Sequence, residues 1–157
     1  MKILVVEDRG SVLYPLLIEL EKLGHDVLTA LDVAQARAVW NGGNSDIACI
    51  IVDTNIPADR RAKDTIEEKN RNSVNKEWHA LAGWIWLEQE GLVGRITPMA
   101  TGVPKVIIYS AFLDDWHAQG CRENDYPHIR FFRKGPDTAQ NLLDHVKAIA
   151  AQGERIG

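Results

Sequence analysis

Apolar residues along this 157-residue chain gather in five short runs, separated by stretches in which they recur at helical spacing. The runs are Ile3 to Val6, Val27 to Leu31, Ile47 to Val52, Val103 to Tyr109 (interrupted by Pro104 and Lys105) and Ile129 to Phe132. Each has the length of a strand, and their β-branched content suits one. Between the first two runs, Val12, Leu13, Leu16, Leu17, Leu20 and Leu23 trace one helix face, with Ser11 placed as an N-cap and Gly24 as the stop. Asp32 is placed to cap a second helix that runs through Trp40, and Trp78 to Glu90 forms a third helical pattern closed by Gly91. Asp114 to Cys121 has room for a short helix only. Pro136 opens a last helix carrying Leu142, Leu143, Val146 and Ile149. Alternating strands and helices predict a doubly wound α/β domain, a five-stranded parallel sheet with helices on both faces and right-handed crossovers.

One segment breaks the pattern. From Pro57 to Gly83 the chain carries Asp59, Arg60, Arg61, Lys63, Asp64, Glu67, Glu68, Lys69 and Arg71 with hardly any apolar residue. It is too long for a simple strand-to-helix loop, so we expect a solvated excursion, helical around Thr65 to Arg71, with a mobile tip near Asn72 and Ser73. A milder excursion spans Gly91 to Gly102. The expected organisation is a single domain over 1–152, interrupted by a charged insertion at 58–82, with a tail at 153–157.

Composition changes this picture little. The chain is 45% hydrophobic and 25% charged, with a formal net charge of -4, which gives no electrostatic reason to expect nucleic acid as a direct partner. No apolar stretch approaches a signal-peptide core or a membrane span, so a cytoplasmic protein without a membrane partner is expected. Cys49 and Cys121 form no C-x-x-C pair and read as reduced thiols. His25, His79, His117, His128 and His145 have no ligand-like spacing.

The candidate chemistry lies where the runs end. In an open parallel sheet, ligands bind beyond the carboxyl ends of the strands, where the winding reverses. The first run ends in Glu7 and Asp8, the third in Asp53, the fourth in Ser110 and Ala111, and the fifth reaches Lys134. With strand order 2-1-3-4-5, the first and third strands are neighbours and the three carboxylates share one crevice. Three carboxylates repel, and one should resist ionisation unless a cation joins them. Mg2+ suits such a site because it takes oxygen ligands from one or two carboxylates together with a phosphoryl group. Asp53 then offers a carboxylate nucleophile, Lys134 a positive charge and Ser110 a hydroxyl donor, the complement that phosphoryl transfer needs.

Taken together, Val5-Val6-Glu7-Asp8, Asp53-Thr54-Asn55-Ile56-Pro57, Ile108-Tyr109-Ser110-Ala111 and Phe131-Phe132-Arg133-Lys134 resemble the receiver domain of two-component response regulators. The resemblance implies a flavodoxin-like sheet of order 2-1-3-4-5 and a signalling domain rather than an enzyme. Asp53 would take a phosphoryl group from a phosphohistidine on a histidine kinase or histidine phosphotransfer protein. Asp8, Asp53 and the main-chain carbonyl of Asn55 would ligate Mg2+, with Glu7 acting through water. Ser110 would turn inward, and Phe131, at the family's aromatic switch position, would follow and reshape the face built from the family's fourth helix, fifth strand and fifth helix. That face is also the expected homodimer surface. Phe112 falls at a position that influences dephosphorylation in the family, where its ring would hinder water.

Two features depart from the family. Lys134 is followed by Gly135 and only then by Pro136, which favours a trans Lys134–Gly135 bond where the family has a cis Lys-Pro. If Gly83 is the family's third-helix glycine, the charged segment is an insertion beside the site. Two other functions stay open on the sequence: a pseudo-receiver that binds partners without phosphorylation, and an aspartyl-nucleophile phosphatase. The phosphatase type carries a second Asp two residues after the nucleophile, where this chain has Asn55.

Overall fold

The computed structural model describes residues 1–44, 46–74, 77–94, 103–135 and 137–156. Five strands, β1 (Lys2–Val6), β2 (Asp26–Ala30), β3 (Ile47–Val52), β4 (Lys105–Ser110) and β5 (Ile129–Arg133), form one parallel sheet of order β2-β1-β3-β4-β5. The order reverses between β1 and β3, where Val6 lies beside Val52, and Val52 lies beside Ile108 of β4. Alternate residues of the central strands enter two separate cores. Leu4, Val6, Ile50, Val52, Val106 and Ile108 face one side, while Ile3, Val5, Cys49, Ile51, Ile107 and Tyr109 face the other. A strand buried on both faces has no polar positions to alternate, which is why these runs read as unbroken apolar segments.

Helices α1 (Gly10–Lys22) and α6 (Thr138–Ile156) cover the second face through Leu16, Leu20, Leu142 and Val146. The other face is covered by α2 (Val33–Asn41), α4 (Ala82–Gln89) and α5 (Leu113–Ala118). Several ends are as read from the sequence: Asp32 Oδ1 accepts from the Gln35 amide at 2.7 Å, and Gly24 stops α1 at φ 86° with its amide on the Glu21 carbonyl. The start of α1 differs. Its N-cap is Arg9, not Ser11, because Glu7 Oε1 accepts from the Arg9 amide at 3.1 Å and turns the chain earlier. β4 begins at Lys105, after Pro104, which has no N–H for a ladder. Pro136 and positions 95–102 of the second excursion lie outside the described residues.

The crossover from β3 to β4 holds more helix than the sequence suggested. The charged segment forms a full helix, α3 (Arg60–Arg71), rather than a partly helical excursion, and a 3-10 turn (Trp78–Leu81) leads from it into α4. Asp59 caps α3 by accepting from the Ala62 amide, and Ala62 and Ile66, one turn apart, are buried in the core. These two apolar side chains are the part of α3 that enters the core. The tip is tethered, since the Ser73 hydroxyl donates to Gln119 Oε1 at 3.2 Å. Arg37 of α2 fastens this crossover: its guanidinium donates to both oxygens of Asp59, to Glu90 Oε1 and to Gln89 Oε1, at 2.6 to 3.2 Å. One side chain thus joins α2, the start of α3 and the end of α4.

Candidate functional site

The sheet ends gather the acidic residues that the sequence placed there. Glu7 and Asp53 follow β1 and β3, whose ends are locked together by the Asp53 amide on the Val6 carbonyl at 2.9 Å. Glu7 and Asp53 are buried, Asp8 is exposed, and one carboxylate oxygen from each lies within 4.8 Å of the others. Lys134 arrives from the end of β5, positioned by its amide on the Ser110 carbonyl. Its ammonium donates to Glu7 Oε2 and, at 2.8 Å, to Asp53 Oδ2. The Lys134–Gly135 bond is trans, and Lys134 reaches the carboxylates without a cis turn.

Asp53 also fills the role any strand-end Asp fills, since its Oδ1 accepts from the Asn55 amide at 3.0 Å and closes an Asx turn. The turn holds Asn55 next to Asp8, both lining a cavity of about 540 Å3. Lys63, Ile66, Glu67 and Asn70 of α3, and His79, line the same cavity. α3 therefore flanks the acidic site.

Electrostatics make the site ready for a cation. Burial, with Asp53 and Asp8 alongside, pushes the Glu7 carboxyl up to about 7 in spite of its bond to Lys134. Glu7 is thus the carboxylate that resists ionisation. Lys134 is held above the ordinary lysine value, because its bonds to Asp53 and Glu7 outweigh its partial burial. With all three carboxylates ionised, one ammonium leaves two formal negative charges in the crevice. That residue of charge and an all-oxygen donor set fit a hard divalent ion, which would give Glu7 a reason to ionise.

Ser110 and Phe131 lie behind this cluster. Ser110, wholly buried, has its Oγ 2.6 Å from Thr54 Oγ1 and accepts from the Phe112 amide at 2.9 Å. Phe131 is half-buried against Trp116, with ring centroids 4.8 Å apart, and near Trp84 at 6.4 Å. Trp84 in turn meets Trp116 and Tyr126 edge to face. The aromatic switch position of the resemblance therefore abuts a cluster drawn from α4, α5 and the chain just before β5.

Gly83 explains how α4 comes so close. A Cβ there would lie 2.3 Å from the Asp53 carbonyl oxygen and 3.1 Å from Thr54 Cα, and the Gly83 amide donates to the Thr54 carbonyl at 2.9 Å. Only glycine permits this approach. It is α4, buried from Ala82 to Leu87, that lies against the end of β3. Sequence reasoning missed Thr54 and Arg37. Thr54 had one faint signal, a polar residue directly after Asp53 at the end of an apolar run.

No family model matches the chain, and no curated protein is similar to it by sequence. Solved structures are similar. A response regulator receiver domain protein from Clostridium thermocellum superposes with a TM-score of 0.57 at 18% identity, over 99% of this chain and 98% of that one. A CheY-like receiver domain from Methylobacillus flagellatus gives 0.59 at 17%, over 95% and 98%. The response regulator TrrA from Thermotoga maritima, solved in complex with Mg2+ and BeF, gives 0.52 at 17%, over 94% and 97%. The chain has the CheY-like receiver fold, with an extra helical segment in its β3–β4 crossover. Among the described residues, no helix is long and apolar enough to cross a membrane.

Proposed function

We propose that this domain is a phosphoacceptor that switches a protein-interaction surface. One observation carries the reading: on a receiver fold, a buried Asp53 shares one crevice with Glu7 and Asp8 while Lys134 donates to it. An oxygen of Asp53 attacks the phosphorus of a phosphohistidine, an oxygen–phosphorus bond forms, the nitrogen–phosphorus bond breaks, and the imidazole leaves with the electron pair. Asp8, Asp53 and the Asn55 carbonyl would hold Mg2+, with Glu7 reached through water, and the ion would neutralise charge on the phosphoryl oxygens. Lys134 supplies a fixed positive charge to the same oxygens, and burial of Asp53 makes that charge count for more than it would in water. Ser110 turns toward the phosphoryl group and Phe131 follows. The donor is a cytoplasmic histidine kinase or histidine phosphotransfer protein, and the switched face is the surface for a target or a second copy. A general phosphatase is disfavoured because Asn55 offers no acid or base where that chemistry needs one.

Beryllofluoride with Mg2+ tests the reading, since it occupies an aspartyl acceptor as a phosphoryl group would. Tryptophan fluorescence should change with beryllofluoride only when Mg2+ is present, through the Trp84–Trp116–Phe131 cluster, and not in Asp53→Asn. Absence of any response at saturating Mg2+ would turn the reading toward phosphorylation-independent partner binding.

A further inference from the structure

We propose that Thr54 is a latch that holds Ser110 in its resting position and sets how readily the domain switches. The inference rests on the phosphoacceptor reading above and adds a residue to it. The Thr54 and Ser110 hydroxyls lie 2.6 Å apart, and both residues are wholly buried. Ser110 Oγ is further held by the Phe112 amide at 2.9 Å. In the resting arrangement, then, each hydroxyl is the other's partner and water reaches neither.

The latch is one-sided. The Thr54 backbone is not free to follow Ser110, because its carbonyl accepts from the Gly83 amide at 2.9 Å, where α4 comes so close that a Cβ on Gly83 would lie 3.1 Å from Thr54 Cα. Thr54 is thereby pinned between the end of β3 and the start of α4. Ser110 closes β4, and the two residues after it lead into α5, whose N-cap Phe112 makes no side-chain cap bond. When Ser110 turns toward a phosphoryl group on Asp53, it must leave Thr54 Oγ1 buried without a partner. An orphaned buried hydroxyl is costly, so the bond favours the resting state. The same movement shifts the start of α5 and, one helical turn on, Trp116, whose ring packs tilted against Phe131 at 4.8 Å. Thr54 is therefore a positioning residue for the switch, its hydroxyl acting through Ser110.

Removing the hydroxyl while keeping the shape should release the latch. Beryllofluoride titrations in saturating Mg2+, read by tryptophan fluorescence, should show about tenfold tighter binding in Thr54→Val than in wild type, the worth of one buried hydroxyl bond. Thr54→Ser, which keeps the hydroxyl, should return toward wild type. In the Ser110→Ala background the Thr54→Val gain should vanish. A merely structural role predicts the opposite sign, since a loosened site binds no tighter. Affinity in Thr54→Val equal to or weaker than wild type, with a normal wild-type response, overturns the latch and leaves the phosphoacceptor reading standing. A wild-type protein that gives no Mg2+-dependent response overturns both.

Discussion

Arg37→Ala should destabilise the domain by about 3 to 5 kcal/mol, the range for removing one partner from a buried ion pair. Exposure decides which magnitude applies. The side chains of Arg37, Asp59 and Glu90 are 15, 17 and 11% exposed, so the network is nearer a buried pair than a surface one, whose worth is about 0 to 1 kcal/mol. Truncation removes the two-pronged contact with Asp59 and the bonds to Glu90 and Gln89, leaving two carboxylates facing each other with little solvent. It also strips the packing of the guanidinium stem. The loss is read from urea unfolding. Hydrogen exchange should show the amides of α3 opening below the global free energy, since its start then keeps only the buried Ala62 and Ile66 and the bonds from Gln89 to Arg61 and Thr65. Arg37 also holds the Asp59 carboxyl below its usual value, so this contribution is present above about 3.8 and is lost as pH falls through the depressed value. The acid limb of the stability curve should therefore be shallower in Arg37→Ala. A loss under about 1 kcal/mol, with α3 as protected as before, would refute the view that this network fastens α3.

Three further outcomes follow from the site. Gly83→Ala gains helix propensity of about 1 kcal/mol but drives a methyl against the Asp53 carbonyl, so a net loss of about 1 to 3 kcal/mol and weaker Mg2+ binding are expected in unfolding and titration experiments. In metal-free protein the raised Glu7 value means that the folded state binds the extra proton: the contribution is full below about 4.5 and is lost as pH rises through about 7. Glu7→Gln in chelator should abolish that fall, seen by comparing unfolding at the two ends of the window. Lys134→Met should bind Mg2+ at least about fivefold more tightly by calorimetry, since a unit charge at 4 Å is worth on the order of 1 kcal/mol even in water, yet it should accept phosphoryl groups more slowly.

Much of the fold was written in local chemistry. Strands covered on both faces leave continuous apolar runs, and Asp32 and Gly24 punctuate helices by side-chain and backbone rules that need no tertiary contact. The acidic crevice followed once β1 and β3 were made neighbours, because each carboxylate falls directly after its strand. What escaped depends on partners distant in sequence. α3 offers only Ala62 and Ile66 to the core, too few to stand out among its charges, and it is held by Arg37, whose partners Asp59 and Glu90 lie 22 and 53 residues away. Thr54 meets Ser110 across 56 residues, a pairing that no spacing rule announces. The start of α1 moved for a related reason, the Glu7 carboxylate turning the Arg9 amide before Ser11 is reached.

The central claim is that Asp53 accepts a phosphoryl group with the help of a divalent cation. Intact-mass measurement after incubation with a phosphohistidine donor, or with a small acyl phosphate, reads this directly. The account predicts a gain of one phosphoryl group that requires Mg2+, disappears with chelator and is absent in Asp53→Asn. No gain with any donor at saturating Mg2+, or an equal gain in Asp53→Asn, would contradict it.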